Sequence, residues 1–228
     1  MVNTSDKFAQ QAQHWWDPNG ISKPLHRLTP WRLAYIMQQN QGIVDKQILD
    51  LGCGGGILTQ ALAQQGAKVT GIDIACPLLH IAKQQARQQG LQIDYHCIDI
   101  AQYSPDKRFD CILCLDVLQH IHKPESLLHH CQRLLKPNGK LIITTINRSV
   151  MAWIVMILLA EKMLKLLPQG THHYAQFIKP TTLIKFAKNM GFTLADLQGY
   201  RYNPCTEKAY FISHCQVNYV ATFMAQDL

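Results

Sequence analysis

The sequence predicts an α/β fold: a mostly parallel sheet with helices on both faces and an antiparallel pair of strands at its C-terminal end. Two observations predict it. Short apolar runs alternate with amphipathic stretches between residues 47 and 146, and a cluster of glycines directly follows the first run. Strands separated by helices form parallel sheets, which bind ligands at the carboxyl ends of their strands. At 228 residues, the chain is expected to be one domain.

The predicted elements follow in a regular order. Thr29 and Pro30 are typical of a helix start, and this helix is expected to run to about Asn40. The predicted parallel strands are Gln47–Leu51, Lys68–Ile72, Leu91–Cys97, Phe109–Leu115 and Lys140–Ile146. The predicted helices between them are Ile57–Gln65, Pro77–Gln89 and Pro124–Leu135. A helix at Thr181–Met190 and strands near Phe192–Tyr200 and Gln216–Phe223 complete the chain.

These elements divide the single domain into four parts. We expect an N-terminal helical cap (1–46), a ligand-binding core (47–147), an apolar helical insertion (148–178) and a C-terminal helix with strands (179–228).

The composition is that of a globular protein, because 47% of the residues are hydrophobic and 16% are charged, which fits neither disorder nor a fibrous protein. Residues 1–20 lack the apolar run of a secretory signal, so a cytoplasmic location with reduced cysteines is expected. Cys111 and Cys114 would lie on opposite faces of a strand and therefore neither chelate nor bridge.

Positive charge is concentrated in the second half of the chain. Residues 49–135 carry a formal charge of −1 and residues 136–228 one of +6. This asymmetry predicts that the C-terminal half is the part of the protein that contacts an anionic surface.

The glycine cluster has the pattern G-x-G-x-G, from Gly52 to Gly56, and Asp50 precedes it. Glycines at such a turn let the backbone approach a ligand closely. Ile57 stands where a dinucleotide-binding motif requires its last glycine, which disfavours a nicotinamide-dependent oxidoreductase. Asp73 closes the second predicted strand, 21 residues after Gly52, where a carboxylate can bind ribose hydroxyls.

This arrangement resembles motif I of the class I S-adenosylmethionine-dependent methyltransferases and implies their Rossmann-like sheet. The resemblance makes Asp50, Gly52, Gly54 and Asp73 candidate residues for binding S-adenosylmethionine. Asp99, which follows the third predicted strand, is the candidate partner of the adenine amino group.

Motifs along nearly the whole chain resemble the family of ubiquinone-biosynthesis O-methyltransferases. They are Trp15–Asp17, Lys23–Arg27, Pro30–Ile36, Gly170–His172 and Phe177–Pro180. The resemblance implies O-methylation of phenolic hydroxyls on polyprenylated ubiquinone precursors, with cofactor contacts at Arg32, Gly52, Asp73 and Leu115. Arg32 would pair with the methionine carboxylate. A polyprenylated phenol or quinol and other ubiquinone-biosynthesis proteins are the implied partners.

Methylation of a phenol benefits from a base or a Lewis acid, because a phenol with a pKa near 10 is mostly protonated at neutral pH. Asp116, Gln119 and His120 follow the fourth predicted strand and share one face if they open a helical turn. His120 is the candidate proton acceptor, and the competing histidines are His26, His122, His172 and His173. The family's usual Glu-x-x-Glu-His pattern is linked to a divalent metal, so Asp116, Gln119 and His120 are also candidate ligands for Mg²⁺, with one carboxylate fewer.

The apolar run Val150–Ala160 belongs to a predicted helix over Val150–Leu167. Its 11 residues are fewer than the roughly 17–25 that cross a bilayer. We expect this helix to lie on an anionic membrane surface, peripheral on the inner face. A buried core helix is the alternative.

The segment after the fourth predicted strand disfavours a methyltransferase that acts on nucleic acids. Leu115-Asp-Val-Leu follows the fourth predicted strand, where base-directed methyltransferases carry Asn/Asp-Pro-Pro-aromatic, so no nucleic-acid partner is expected. A non-catalytic scaffold that binds S-adenosylmethionine at a membrane, and a methyltransferase for a different small molecule, are the open alternatives.

Overall fold

The computed structural model describes residues 12–20, 22–121, 123–155, 173–203 and 206–226. These ranges contain one eight-stranded sheet in the order β3-β2-β1-β4-β5-β8-β6-β7. The strands are β1 (Gln47–Leu51), β2 (Lys68–Asp73), β3 (Asp94–Cys97), β4 (Phe109–Leu115), β5 (Leu135–Ile146), β6 (Phe192–Asn203), β7 (Lys208–Ile212) and β8 (Asn218–Ala225). The helices are α1 (Lys23–Asn40), α2 (Ile57–Gln64), α3 (Cys76–Gln88), α4 (Pro124–Leu134) and α5 (Pro180–Asn189).

The first five strands are parallel, and β8 inserts antiparallel between β5 and β6. The predicted fold class is thereby confirmed. From β1 to β3 the chain proceeds toward one edge of the sheet, and from β4 onward it proceeds toward the other edge. In such sheets a ligand binds between the two strands where this direction changes, outside their carboxyl ends.

Helices cover both faces of the sheet. Along β1, Ile48 packs in one cluster with Tyr35 and Leu62 of α1 and α2, whereas Leu49 packs in another with Leu128 of α4. Neighbouring residues of a strand point to opposite faces, so the sheet lies between these two helical layers.

Two local predictions are wrong. Helix α1 begins at Lys23, not at Thr29, because Pro24 already occupies its first turn, where a missing N–H is harmless. The Thr29 hydroxyl donates to the Leu25 carbonyl, 2.8 Å away, and Pro30 lies inside the helix. The C-terminal part of the sheet also contains an additional strand, β7, which forms a hairpin with β6.

Strand β7 forms part of the surface on which α1 rests. The Trp31 ring lies 5.0 Å from that of Phe211 on β7 and 4.7 Å from that of Tyr200 on β6. Lys23 and Arg27 of α1 form ion pairs with Glu207, at 2.5 and 2.7 Å. The β6–β7 hairpin therefore fixes the position of α1 beside the sheet.

The cysteines follow the prediction only in part. Cys111 and Cys114 are buried in the clusters on opposite faces of β4, as expected. Cys76 and Cys97, in contrast, are joined by a disulfide, so the expectation of reduced cysteines throughout is wrong for this pair. The bond forms because the β2–α3 turn brings Cys76 beside the end of β3.

The predicted helix Val150–Leu167 is described only at its start. Val150–Ala152 form a helical turn whose Ala152 N–H donates to the Ser149 hydroxyl, at 3.0 Å, and residues 156–167 lie outside the described residues. No helix within the described ranges is both long and apolar enough to span a membrane.

Candidate active site

The glycine loop lies at the carboxyl end of β1, beside that of β2. The N–H groups of Gly52 and Cys53 donate to the Ile72 carbonyl, at 2.8 and 3.2 Å. A Cβ atom on Gly52 would lie 2.3 Å from a methyl group of Val117, so a larger residue would displace the segment after β4. The loop thus stays narrow, and Gly52 at its start is exposed.

Asp73 is held against the glycine loop at the end of β2. Its carboxylate accepts hydrogen bonds from the N–H groups of Gly54 and Ala75, both at 2.8 Å. Burial raises the pKa of Asp73, and these hydrogen bonds oppose the shift. The structure therefore brings Gly52, Gly54 and Asp73 together, as a site for two ribose hydroxyls requires.

Asp50 lies beneath the loop. It is 4% exposed, and its Oδ2 accepts a hydrogen bond from the Thr59 hydroxyl at 2.6 Å. Burial raises the pKa of Asp50 to about 6, although Thr59 and the charge of Arg32 lower it. The carboxylate joins β1 to α2 and supports the loop from below.

The two other predicted cofactor residues flank this centre. Asp99 is exposed after β3 and caps the local turn by accepting from the Ala101 N–H, at 2.8 Å. Leu115 is half-buried at the end of β4, in register with Thr144 of β5. Both lie toward the carboxyl edge of the parallel strands.

Arg32 reaches the site from α1. It is 7% exposed and forms an ion pair with Asp116, directly after β4. Burial lowers the pKa of Arg32, but the charges of Asp116 and Tyr200 and the hydrogen bonds to both residues together outweigh this effect and raise the pKa. The Arg32 Nε atom is also buried and has no hydrogen-bond partner in the described part of the chain.

Tyr200 is a residue of this site that the sequence analysis missed. It is buried on β6, and burial together with the charge of Asp116 raises its pKa. Its hydroxyl lies near the Arg32–Asp116 pair. Nothing in the local pattern of a strand end identifies such a residue, because the sheet topology alone brings β6 beside α1.

Two of the three predicted metal ligands, Asp116 and Gln119, have hydrogen-bond partners within the protein. The two Asp116 carboxylate oxygens are engaged by Arg32 and by the Thr144 hydroxyl. Gln119 is 4% exposed. Its amide donates to the Asp116 carbonyl at 2.9 Å and accepts from Thr145 at 3.1 Å.

His120 ends the 3₁₀ turn Leu118–His120 and is half-buried. With both other donors committed to the protein, the set does not fit a divalent ion, which favours several free oxygen ligands. The described ranges also contain no group of three or more His, Cys, Asp or Glu side chains placed to hold a metal.

Two tryptophans cover the glycine loop from the N-terminal side. Trp16 Nε1 donates to the Gly55 carbonyl at 2.8 Å, and the Trp15 carbonyl lies 3.1 Å from His26 Nε2. A Cβ atom on Gly55 would lie 2.2 Å from the Trp15 ring. The residues before α1 are thus part of the wall around the loop.

A cavity of about 1250 Å³ opens beyond β5. Its wall includes Ile121, which follows His120, together with apolar side chains such as Phe177 and Phe186 and the cationic Arg148 and Lys179. This volume exceeds the roughly 300–1,000 Å³ that is typical of small-molecule sites. It therefore offers room for a small-molecule acceptor.

Comparisons with known proteins agree with this architecture. A family model described as a methyltransferase domain matches residues 21–197. The magnesium protoporphyrin IX methyltransferase of Synechocystis PCC 6803 superposes with a TM-score of 0.68 at 22% identity, over 90% of this chain and 85% of that one. The fold is that of the class I S-adenosylmethionine-dependent methyltransferases.

Two curated relatives narrow the family. The ubiquinone biosynthesis O-methyltransferase of Pasteurella multocida is 44% identical over 97% of this chain and 96% of its own length. That of Coxiella burnetii is 45% identical over 95% of this chain and 93% of its own. The chain belongs to the ubiquinone biosynthesis O-methyltransferase family.

Proposed function

We propose that this chain transfers a methyl group from S-adenosylmethionine to a phenolic hydroxyl of a polyprenylated ubiquinone precursor. The observation that carries the proposal is the likeness to ubiquinone biosynthesis O-methyltransferases over 97% of the chain. The site supports it, because the glycine loop and Asp73 stand together where this fold binds a nucleoside. S-adenosylmethionine, when bound, supplies the electrophilic methyl group.

The proposed cofactor contacts are those that the family resemblance implies, and the position of Asp73 against the glycine loop supports them. Asp73 binds the ribose hydroxyls, Asp99 the adenine amino group, and Gly52 and Leu115 line the path between them. Arg32 binds the methionine carboxylate through its unpaired Nε atom, since a guanidinium can serve two carboxylates at once. This assignment keeps the ion pair of Arg32 with Asp116 intact.

We place the acceptor in the cavity whose wall includes Ile121, the residue that follows His120 in the chain. A phenol must lose its proton as its oxygen attacks the methyl group, and an imidazole accepts a proton near neutral pH. His120 is therefore the proposed general base. Asp116 and Gln119 position the turn that carries it, through their bonds to Arg32 and Thr145.

The test is a methyl-transfer assay with methyl-labelled S-adenosylmethionine and a prenylated catechol in detergent micelles. Label is expected in the lipid extract. His120→Ala should abolish most of the transfer, whereas His129→Ala, at an exposed position on α4, should leave it unchanged. Full activity of His120→Ala would refute the base assignment.

The same assay separates the proposed enzyme from the alternatives. Cofactor binding without transfer to any phenol would favour a non-catalytic scaffold, and transfer only to other acceptors would favour a different small-molecule methyltransferase. Activity that persists after exhaustive chelation and does not rise with added Mg²⁺ is expected, because the described Asp116 and Gln119 oxygens are engaged by the protein.

We also propose that the segment beginning at Val150 docks on an anionic membrane surface, where a polyprenylated substrate resides. Val150, Met151 and Trp153 are 72%, 46% and 41% exposed, and exposed neighbouring apolar side chains are typical of contact surfaces. Arg148 and Lys179 lie nearby on the cavity wall and add attraction to anionic headgroups.

Co-sedimentation with vesicles containing an anionic phospholipid tests this surface at low salt. Val150→Glu/Trp153→Glu should reduce the bound fraction several-fold. Val44→Glu, at another apolar position that is 70% exposed, is the matched control and should bind as wild type does. Wild type that stays in the supernatant would refute the docking proposal.

A further inference from the structure

The disulfide between Cys76 and Cys97 lies at the rim of the cofactor site. Cys76 is the first residue of α3 and Cys97 the last of β3, and their Cα atoms are 5.2 Å apart. Both are exposed, whereas the other described cysteines are half-buried or buried. Solvent-borne thiols and disulfides can therefore reach this pair.

Both ends of the disulfide adjoin peptide groups that bind Asp73. The N–H of Ala75, the residue before Cys76, donates to the Asp73 carboxylate at 2.8 Å. The N–H of Ile98, the residue after Cys97, donates to the Asp73 carbonyl at 3.1 Å. The bond thus ties together the two segments that hold the proposed ribose-binding carboxylate.

We propose that Cys76 and Cys97 form a reversible thiol–disulfide modification site. Its oxidation state controls how firmly the start of α3 and the end of β3 are held together around the nucleoside end of the cofactor site. This inference rests on the proposed S-adenosylmethionine site. It adds that the rim of this site exists in an oxidised and a reduced form.

The chemistry is exchange with a low-molecular-weight dithiol. One thiolate of the dithiol attacks a cysteine sulfur, the Cys76–Cys97 bond breaks, and a mixed disulfide forms. The second thiol of the reagent displaces the cysteine. The dithiol is oxidised to a disulfide, and its two electrons and two protons leave both cysteines as thiols. A low-molecular-weight disulfide reverses the reaction.

The two forms differ in how close the segments can stay. Bonded sulfurs lie about 2.0 Å apart, whereas non-bonded atoms of this size need roughly 3.5–4 Å. Reduction therefore frees the start of α3 and the end of β3 to separate. Asp73 and, two residues beyond Cys97, Asp99 then become less well preorganised, which lowers affinity.

The test is calorimetry of the full chain with S-adenosylhomocysteine, before and after reduction with dithiothreitol, with maleimide labelling to count free thiols. The oxidised form is expected to bind at least about threefold more tightly. Reduction should add two labelled thiols per chain. Cys76→Ser and Cys97→Ser should bind as the reduced wild type does, with or without dithiothreitol.

Cys215→Ser is the matched control, because Cys215 is a half-buried free thiol away from the rim; it should respond to reduction as wild type does. Equal affinity of the oxidised and reduced forms, or full maleimide labelling of both cysteines after treatment with oxidised glutathione, would overturn this inference alone. Failure of both forms to bind S-adenosylhomocysteine would overturn the proposed cofactor site and the inference with it.

Discussion

The buried carboxylate of Asp50 yields a quantitative prediction about stability. Burial raises its pKa from 3.8 to about 6, a difference worth about 3 kcal/mol. The folded state therefore binds more protons than the unfolded state between about pH 4 and pH 6, and stability falls as pH rises through this window. At neutral pH the ionised carboxylate costs about 3 kcal/mol relative to a neutral group of the same shape.

Asp50→Asn removes the charge and keeps an oxygen that can accept the Thr59 hydroxyl. Its free energy of unfolding at pH 7 should exceed that of wild type by up to about 3 kcal/mol. The difference should shrink as the pH falls through about 6 toward about 4, because Asp50 becomes protonated in the folded state. Urea unfolding followed by circular dichroism across this pH range measures the effect.

Asp99→Asn serves as the control for the exchange of Asp for Asn at an exposed position. An Asp50→Asn protein that is less stable than wild type at pH 7, with the same slope against pH, would refute the reasoning. It would mean that contacts to the ionised carboxylate, and not its burial, dominate.

Three further outcomes follow from the site. Asp73→Ala should weaken S-adenosylhomocysteine binding by about tenfold or more, since unpaired buried hydroxyls cost roughly 1–3 kcal/mol; calorimetry showing wild-type affinity would contradict the ribose assignment. Gly55→Ala places a Cβ atom 2.2 Å from the Trp15 ring and should lower the unfolding free energy by about 1–3 kcal/mol, with a shift in tryptophan emission; unchanged values would contradict the close contact. Reduction of Cys76–Cys97, which are 21 residues apart, should lower the unfolding free energy by about 3 kcal/mol, and equal urea midpoints with and without dithiol would argue against it.

The parallel half of the sheet could be predicted because its signals are local. Strands β1 and β4 have the predicted bounds, since each is a buried apolar run that turn-forming or polar residues delimit. The G-x-G-x-G spacing likewise places Gly52 and Asp73 at adjacent strand ends without knowledge of the rest of the chain.

Features that depend on distant contacts were not predictable. Thr29 and Pro30 resemble a helix start, but α1 begins at Lys23, where the ion pairs of Lys23 and Arg27 with Glu207 hold the turns before Thr29. The Arg32–Asp116 pair and the Cys76–Cys97 bond likewise depend on the topology. Each joins two segments, and no local sequence pattern predicts that these segments are neighbours.

The contacts that fix the position of α1 join residues that are far apart in the chain. Their formation therefore determines when, during synthesis, the protein becomes able to bind its cofactor. Arg32 pairs with Asp116, 84 residues away, and the Tyr35 hydroxyl lies 2.8 Å from that of Thr222 on β8, 187 residues away. Contacts of such high order form late, after the loops between them have closed. A nascent chain can therefore form β1 to β4 on the ribosome, but α1 packs in its final position only after β8 has emerged. Since a ligand stabilises only the state that binds it, the cofactor would protect finished chains from proteolysis and leave incomplete ones to be degraded.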